Sequence, residues 1–128
     1  MKIAVATKEN WRLVSGHAGK VHDWLLFDCQ PGQALPVPQQ VSLSDAQLPH
    51  NFRDDGPHPL HGVELVVAAS AGDGYIRHMD RWGAQVLLTG ETVPVNALQK
   101  IIAGEALADT RFDITTALCK VRDLFSRH

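Results

Sequence analysis

Between residues 64 and 104 the chain twice repeats an apolar run followed by apolar residues at helical spacing, and this repetition limits the fold more than any other feature. Residues 64–69 read as a short strand covered on both faces. Tyr75, Ile76, Met79 and Trp82 then recur at the spacing of one helical face, and Gly83 stands where helices commonly stop. Residues 86–89 form a second buried strand. Thr92 can cap a second helix that tolerates an early Pro94 and turns Leu98, Ile101 and Ile102 inward before Gly104. Strand, helix, strand, helix in this order predicts a right-handed parallel crossover.

The first half reads differently. Residues 3–6 make a short apolar strand, Asn10, Trp11 and Arg12 a turn, Leu13 and Val14 a brief second strand, and residues 23–29 a third. A turn at residues 30–33 leads to a return arm over 34–43, which Pro36 and Pro38 reduce to an edge strand or an extended segment because neither has an amide to donate. Residues 44–61 are polar and broken by Pro57 and Pro59, which predicts a turn or one helical turn near residues 59–62 and no long helix. Residues 108–113 read as a connector, and Leu118, Val121, Leu124 and Phe125 give 116–125 the spacing of a final helix. The reading is thus a mixed α/β sheet, antiparallel first and parallel later.

A chain of 128 residues with 45% apolar content is the size of one domain with its own core. A formal charge of −2 with scattered basic residues does not suggest nucleic-acid binding. Met1-Lys2 leads directly into a strand, and no apolar run approaches the ~18 residues of a membrane span; the expected location is the cytoplasm. Cys29 and Cys119 have no Cys-x-x-Cys partner, so neither a disulfide framework nor a structural zinc site is expected. Seven histidines in so short a chain point instead toward metal chemistry.

One histidine has a distinctive setting. Ser15-Gly16-His17-Ala18-Gly19-Lys20 is a glycine-flanked loop in which Gly16 and Gly19 could free the backbone to hold His17 outward. The plainer alternative is a turn that happens to contain a histidine. Lys2-Ile3-Ala4-Val5-Ala6-Thr7, this loop and Leu25-Leu26-Phe27-Asp28 together resemble the start of the dinitrogenase iron-molybdenum cofactor biosynthesis family. Gly62-Val63-Glu64-Leu65-Val66-Val67-Ala68, Ala71-Gly72-Asp73-Gly74, Trp82-Gly83-Ala84-Gln85-Val86 and Ile102-Ala103-Gly104-Glu105-Ala106-Leu107 are similar to its later blocks, in order.

The resemblance covers residues 1–107 and implies one cofactor-binding-like domain there, with 108–128 as connector and extra C-terminal helix. It implies a ribonuclease H-like α/β fold, with no nuclease activity attached to the name; Asp28 has no obvious acidic companions on the other predicted strand ends to hold two metal ions. The implied function is a non-enzymatic carrier that holds an iron-sulfur or iron-molybdenum cluster transiently through His17. Its partners would be cluster donor and acceptor proteins, with no nucleic acid and no membrane, and a homodimer is open. The family's usual loop has phenylalanine where Ala18 stands, so part of the loop's apolar cover is expected to be missing.

Other residues extend the candidate site. Gly16, Gly19, Gly72 and Gly74 are the cofactor-binding candidates beside His17, because a helix opening at Ser70-Ala71-Gly72-Asp73-Gly74 would present free amides to an anionic guest. Gly72 and Gly74 could also begin a dinucleotide motif with Glu91 at the ribose, but Arg77 occupies its third glycine position. His22 and Cys29 are the metal candidates beside His17, and Lys20 and Arg77 candidate counter-charges. His78 reads as a surface residue, and Tyr75, Met79 and Trp82 as core. Two alternatives come from other classes: a small metal-dependent hydrolase using His58, His61 and Asp54 or Asp55, and a regulatory domain that docks through its C-terminal helix.

Overall fold

A computed structural model describes residues 1–30, 33–49, 51–54 and 56–103; the predicted connector, final helix, Cys119 and Asp55 lie outside the described residues. Its elements run β1 (Lys2–Lys8), β2 (Leu13–Val14), β3 (Asp23–Asp28), β4 (Gln39–Ser42), β5 (Leu65–Ala68), α1 (Asp73–Arg81), β6 (Gln85–Leu88) and α2 (Pro94–Ala103). Short 3-10 turns at Ala18–Lys20 and Asp45–Gln47 complete the order.

One mixed sheet of six strands carries the fold, in the order β4-β3-β1-β5-β6 with β2 added on β1. β1 pairs antiparallel with β2 and β3, and β3 with β4; β1 pairs parallel with β5, and β5 with β6. The antiparallel first half and parallel second half follow the sequence pattern, and the proline-bearing arm yields only the short edge strand β4.

Because successive residues of a strand face opposite ways, each central strand feeds two cores. Ile3 and Val5 of β1, with Leu65 and Val67 of β5, join Ala97, Leu98 and Ile101 of α2 on one face. Ala4, Ala6, Val66 and Ala68 join Trp24, Tyr75 and Met79 on the other. The two helices therefore cover opposite faces, and the α1 face is floored by alanines. Ile76, counted on the inward stripe of α1, is instead 37% exposed.

No described residue between 44 and 62 lies in an α-helix, in keeping with the prolines of the segment. Ser44 and Gln47 close a reciprocal capping box over the 3-10 turn, and His58 holds the next turn by two hydrogen bonds to the backbone. Gly83 ends α1 with a φ of +79°, a left-handed conformation that costs a side-chain-bearing residue about 1–2 kcal/mol.

The same substitution should have opposite signs at the two ends of α1. Gly83→Ala meets no atom within 4 Å yet keeps the positive φ, and should destabilise by about 1 kcal/mol. Gly74→Ala lies within the helix, where only Arg77 Nη2 comes as near as 4.0 Å, and should stabilise by about 0.5–1 kcal/mol. Urea unfolding of both variants checks the pair.

Candidate functional site

The carboxyl ends of the parallel neighbours β1 and β5 point to the same edge of the sheet, where open α/β sheets usually place ligands. After the β1–β2 hairpin the chain returns to that edge: Ser15 donates its amide to Ala6 O at 2.8 Å and accepts from Ala69 N at 2.9 Å. Ser70 then fixes the next two residues. Its side-chain oxygen accepts from the His17 amide at 2.8 Å, and its carbonyl accepts from the Ala18 amide at 3.1 Å.

This attachment explains the glycine before the histidine, for a Cβ on Gly16 would stand 2.6 Å from Ser70 Oγ. It also corrects the expected turn geometry. Neither Gly16 nor Gly19 has a positive φ; the left-handed residue is His17 itself, at φ 54° and ψ 52°. His17 is exposed, and neither ring nitrogen bonds to a described residue.

His17, Gly19 and Lys20 border a cavity of about 450 Å³. Pro49 closes one side, and Gly72, Gly74, Tyr75 and His78 line the face made by α1. No side chain caps the helix at Gly72, and a Cβ there would meet nothing within 4 Å, so Gly72 and Gly74 bring the start of α1, which also carries Asp73, to the cavity. At Gly19 a Cβ would lie 3.6 Å from the Tyr75 ring, an ordinary contact. Of the glycine candidates, Gly19, Gly72 and Gly74 border the cavity, whereas Gly16 serves the attachment to Ser70.

Three expectations are corrected. Cys29 does not join His17: it pairs with Met1 at the opposite end of β1, roughly 16 Å of strand from Ala6, and packs in the α2-side core. Burial raises its thiol pKa, which disfavours the thiolate a metal needs. His22 is not on the cavity wall; its Nδ1 lies 2.7 Å from Leu43 O and its Nε2 3.5 Å from Asp45. Ala18 is no part of the cavity's cover, since it is wholly buried in the α1-side core.

Among the described residues the hydrolase arrangement is also not built. His58 accepts the Leu60 amide at Nδ1 and donates Nε2–H to Gln47 O, which leaves no lone pair for a metal. His61 stacks edge-on against Trp82 with ring centroids 4.4 Å apart. Asp54 is taken by α1, accepting from His78 Nε2 at 2.9 Å and Trp82 Nε1 at 3.0 Å. Among the described residues no three or more His, Cys, Asp or Glu are grouped to hold a metal ion. Glu91, the ribose candidate, pairs with Lys100 at 2.6 Å.

The sequence alone marks none of Pro49, Tyr75 and His78 as cavity residues, and His78 is the titratable histidine among them. It is 8% exposed and lies on the wall, although Tyr75, His78, Met79 and Trp82 have the i, i+3, i+4, i+7 spacing that would have placed it there.

No protein-family model matches the chain, and no curated protein matches it. The fold is similar to solved structures. The crystal structure of PH0822 aligns with a TM-score of 0.65 at 20% sequence identity, covering 90% of this chain and 99% of that one. The NMR structure of TM1290 from Thermotoga, provisionally named a NifB protein and placed in the DUF35 family, aligns with a TM-score of 0.57 at 18% identity, covering 88% and 96%. These likenesses establish the mixed α/β fold. No helix among the described residues is long and apolar enough to cross a membrane.

Gly16→Ala should destabilise by about 1–3 kcal/mol through overpacking against Ser70. In a Ser70→Ala background the added cost should shrink, as a double-mutant cycle would measure. Burial, the largest cause, holds the His58 pKa below its ordinary 6.5. The unfolded chain then takes up a proton that folded His58 resists, so its contribution is present above pH 6.5 and is lost as pH falls from there toward the folded pKa. The Asp54 carboxyl is held below its ordinary 3.8, chiefly by the His78 hydrogen bond, and adds stability that is lost only further into acid. Urea midpoints should therefore fall from pH 7 to 5, and His58→Gln should flatten that slope.

Proposed function

We propose that this chain is a non-enzymatic carrier of an iron-sulfur or iron-molybdenum cluster, built on a ribonuclease H-like fold and working in the cytoplasm between cluster donor and acceptor proteins. The observation that carries the reading is His17, an exposed imidazole with both nitrogens unengaged by described residues, at the rim of a cavity floored by the open start of α1. A neutral imidazole is a good ligand for iron. The amides of a helix start and the Lys20 ammonium favour the negative charge of a sulfide-bearing cluster.

The cavity volume falls within the usual range for small-ligand sites. His17 also holds a backbone conformation that costs a non-glycine residue about 1–3 kcal/mol, a cost of the kind that concentrates where a side chain must be displayed. The nitrogen-fixation name of the Thermotoga neighbour points the same way. A grip through one displayed imidazole and main-chain donors suits cargo that must be handed on, whereas a cage of thiolates would resist transfer.

The test is anaerobic titration with a preformed cluster. His17→Ala should weaken uptake at least about tenfold, or ~1.4 kcal/mol, while stability stays within about 0.5 kcal/mol of the parent. His17→Gly should lose uptake equally and gain stability, because glycine accepts the positive φ without strain. Unchanged uptake by both variants would remove His17 from the mechanism.

A further inference from the structure

The cavity has a second imidazole, and its chemistry is set from outside the cavity. His78 sits on the wall formed by α1, and its Nε2 lies 2.9 Å from Asp54 Oδ1. The same carboxylate oxygen accepts the Trp82 indole N–H at 3.0 Å, and an ionised carboxylate can only accept. The proton of a neutral His78 ring therefore resides on Nε2, and Nδ1 carries the lone pair. Nδ1 has no partner among the described residues. Tyr75 Oη is the one side-chain nitrogen or oxygen among them that is both sealed from solvent and unpartnered. The unpartnered Nδ1 is not among the atoms sealed from solvent, and it belongs to a residue that borders the cavity.

Asp54 takes up this position at a cost. Its φ of 58° is left-handed, and it reaches α1 from the proline-broken segment, 24 residues from His78 in sequence. The ring is further held by Trp82, whose plane meets it edge-on at 85° with centroids 4.8 Å apart. An imidazole that gives one N–H to a carboxylate and keeps the other nitrogen bare is the arrangement found behind metal-ligating histidines, where the carboxylate fixes the tautomer and raises the basicity of the ligating nitrogen.

The geometry points to His78 Nδ1 as a second ligand for the metal centre that His17 binds, with Asp54 as the residue that positions it. This inference rests on the carrier reading and adds to it. The guest is gripped from the rim by His17 and from the wall by a ring that cannot turn away. The cavity then has a fixed and a displayed ligand, and release begins at the displayed one.

The experiment uses the full chain loaded anaerobically with a preformed [4Fe–4S] cluster, reduced, and labelled with nitrogen-15 in its histidines. Pulsed electron paramagnetic resonance counts the imidazole nitrogens coupled to the cluster. The expected result is two in the wild type, one in His17→Ala and one in His78→Ala. Asp54→Asn should keep the fold and loosen cluster binding about 10–100-fold, as loss of a carboxylate behind a metal-bound histidine does. Nitrogen NMR of the guest-free wild type should find Nε2 protonated and Nδ1 bare, a readout that needs no variant to fold. A single coupled nitrogen, lost in His17→Ala, would overturn the second ligand and leave the carrier reading standing. No uptake by the wild type would overturn both, and a proton on Nδ1 in the guest-free protein would by itself overturn the role given to Asp54.

Discussion

Three hydrogen bonds tie residues 15–18 to residues 69–70, and the candidate site depends on them. They fasten the loop after β2 to the connection between β5 and α1, two segments more than fifty residues apart in sequence. With the tie in place, His17 stands beside the start of α1; without it, the displayed ring and the helix amides would belong to unrelated loops. Gly16 permits the approach, Ser70 supplies an acceptor from both its side chain and its main chain, and the parallel pairing of β1 with β5 aligns the strand ends beneath.

A second set of polar contacts fixes the other wall. The described residues between 44 and 61 combine backbone turn bonds with side-chain bonds: the Ser44–Gln47 box, the two bonds of His58, and Asp54 bridging to His78 and Trp82. Phe52 meets His58 and Trp82 edge to face, as His61 does Trp82, around them. The consequence for the cavity is that His78 is held by this network, and Pro49 borders the cavity from the same segment that contributes Gln47 and Asp54. Protonation of His58, which burial disfavours, should weaken that network in acid.

The strand and helix pattern was legible because burial leaves a period. Val66 and Val67 feed opposite cores, and Tyr75 and Met79 lie one turn apart, so the parallel half could be read directly. Sites are set by juxtaposition, which has no period. His17 and the α1 glycines could be grouped only because the family resemblance suggested it, and Cys29 was misplaced because nothing local says at which end of the sheet a strand residue sits. Alanine at position 18 suggests a loss of apolar cover over the loop, whereas its methyl belongs to the core. His78 carried a usable signal, its i+3 relation to Tyr75, but a polar residue on an apolar stripe was assigned to solvent. Its partner Asp54 comes from a segment whose path no propensity rule traces.

The account stands or falls on whether this cavity receives a metal-sulfur guest. The most direct measurement is metal and sulfide analysis, with a visible spectrum, of the full chain purified anaerobically and offered a preformed cluster. The account predicts that iron and inorganic sulfide stay with the protein through gel filtration and pass to an acceptor when one is added. A chain that emerges colourless and free of iron from the same treatment would contradict it.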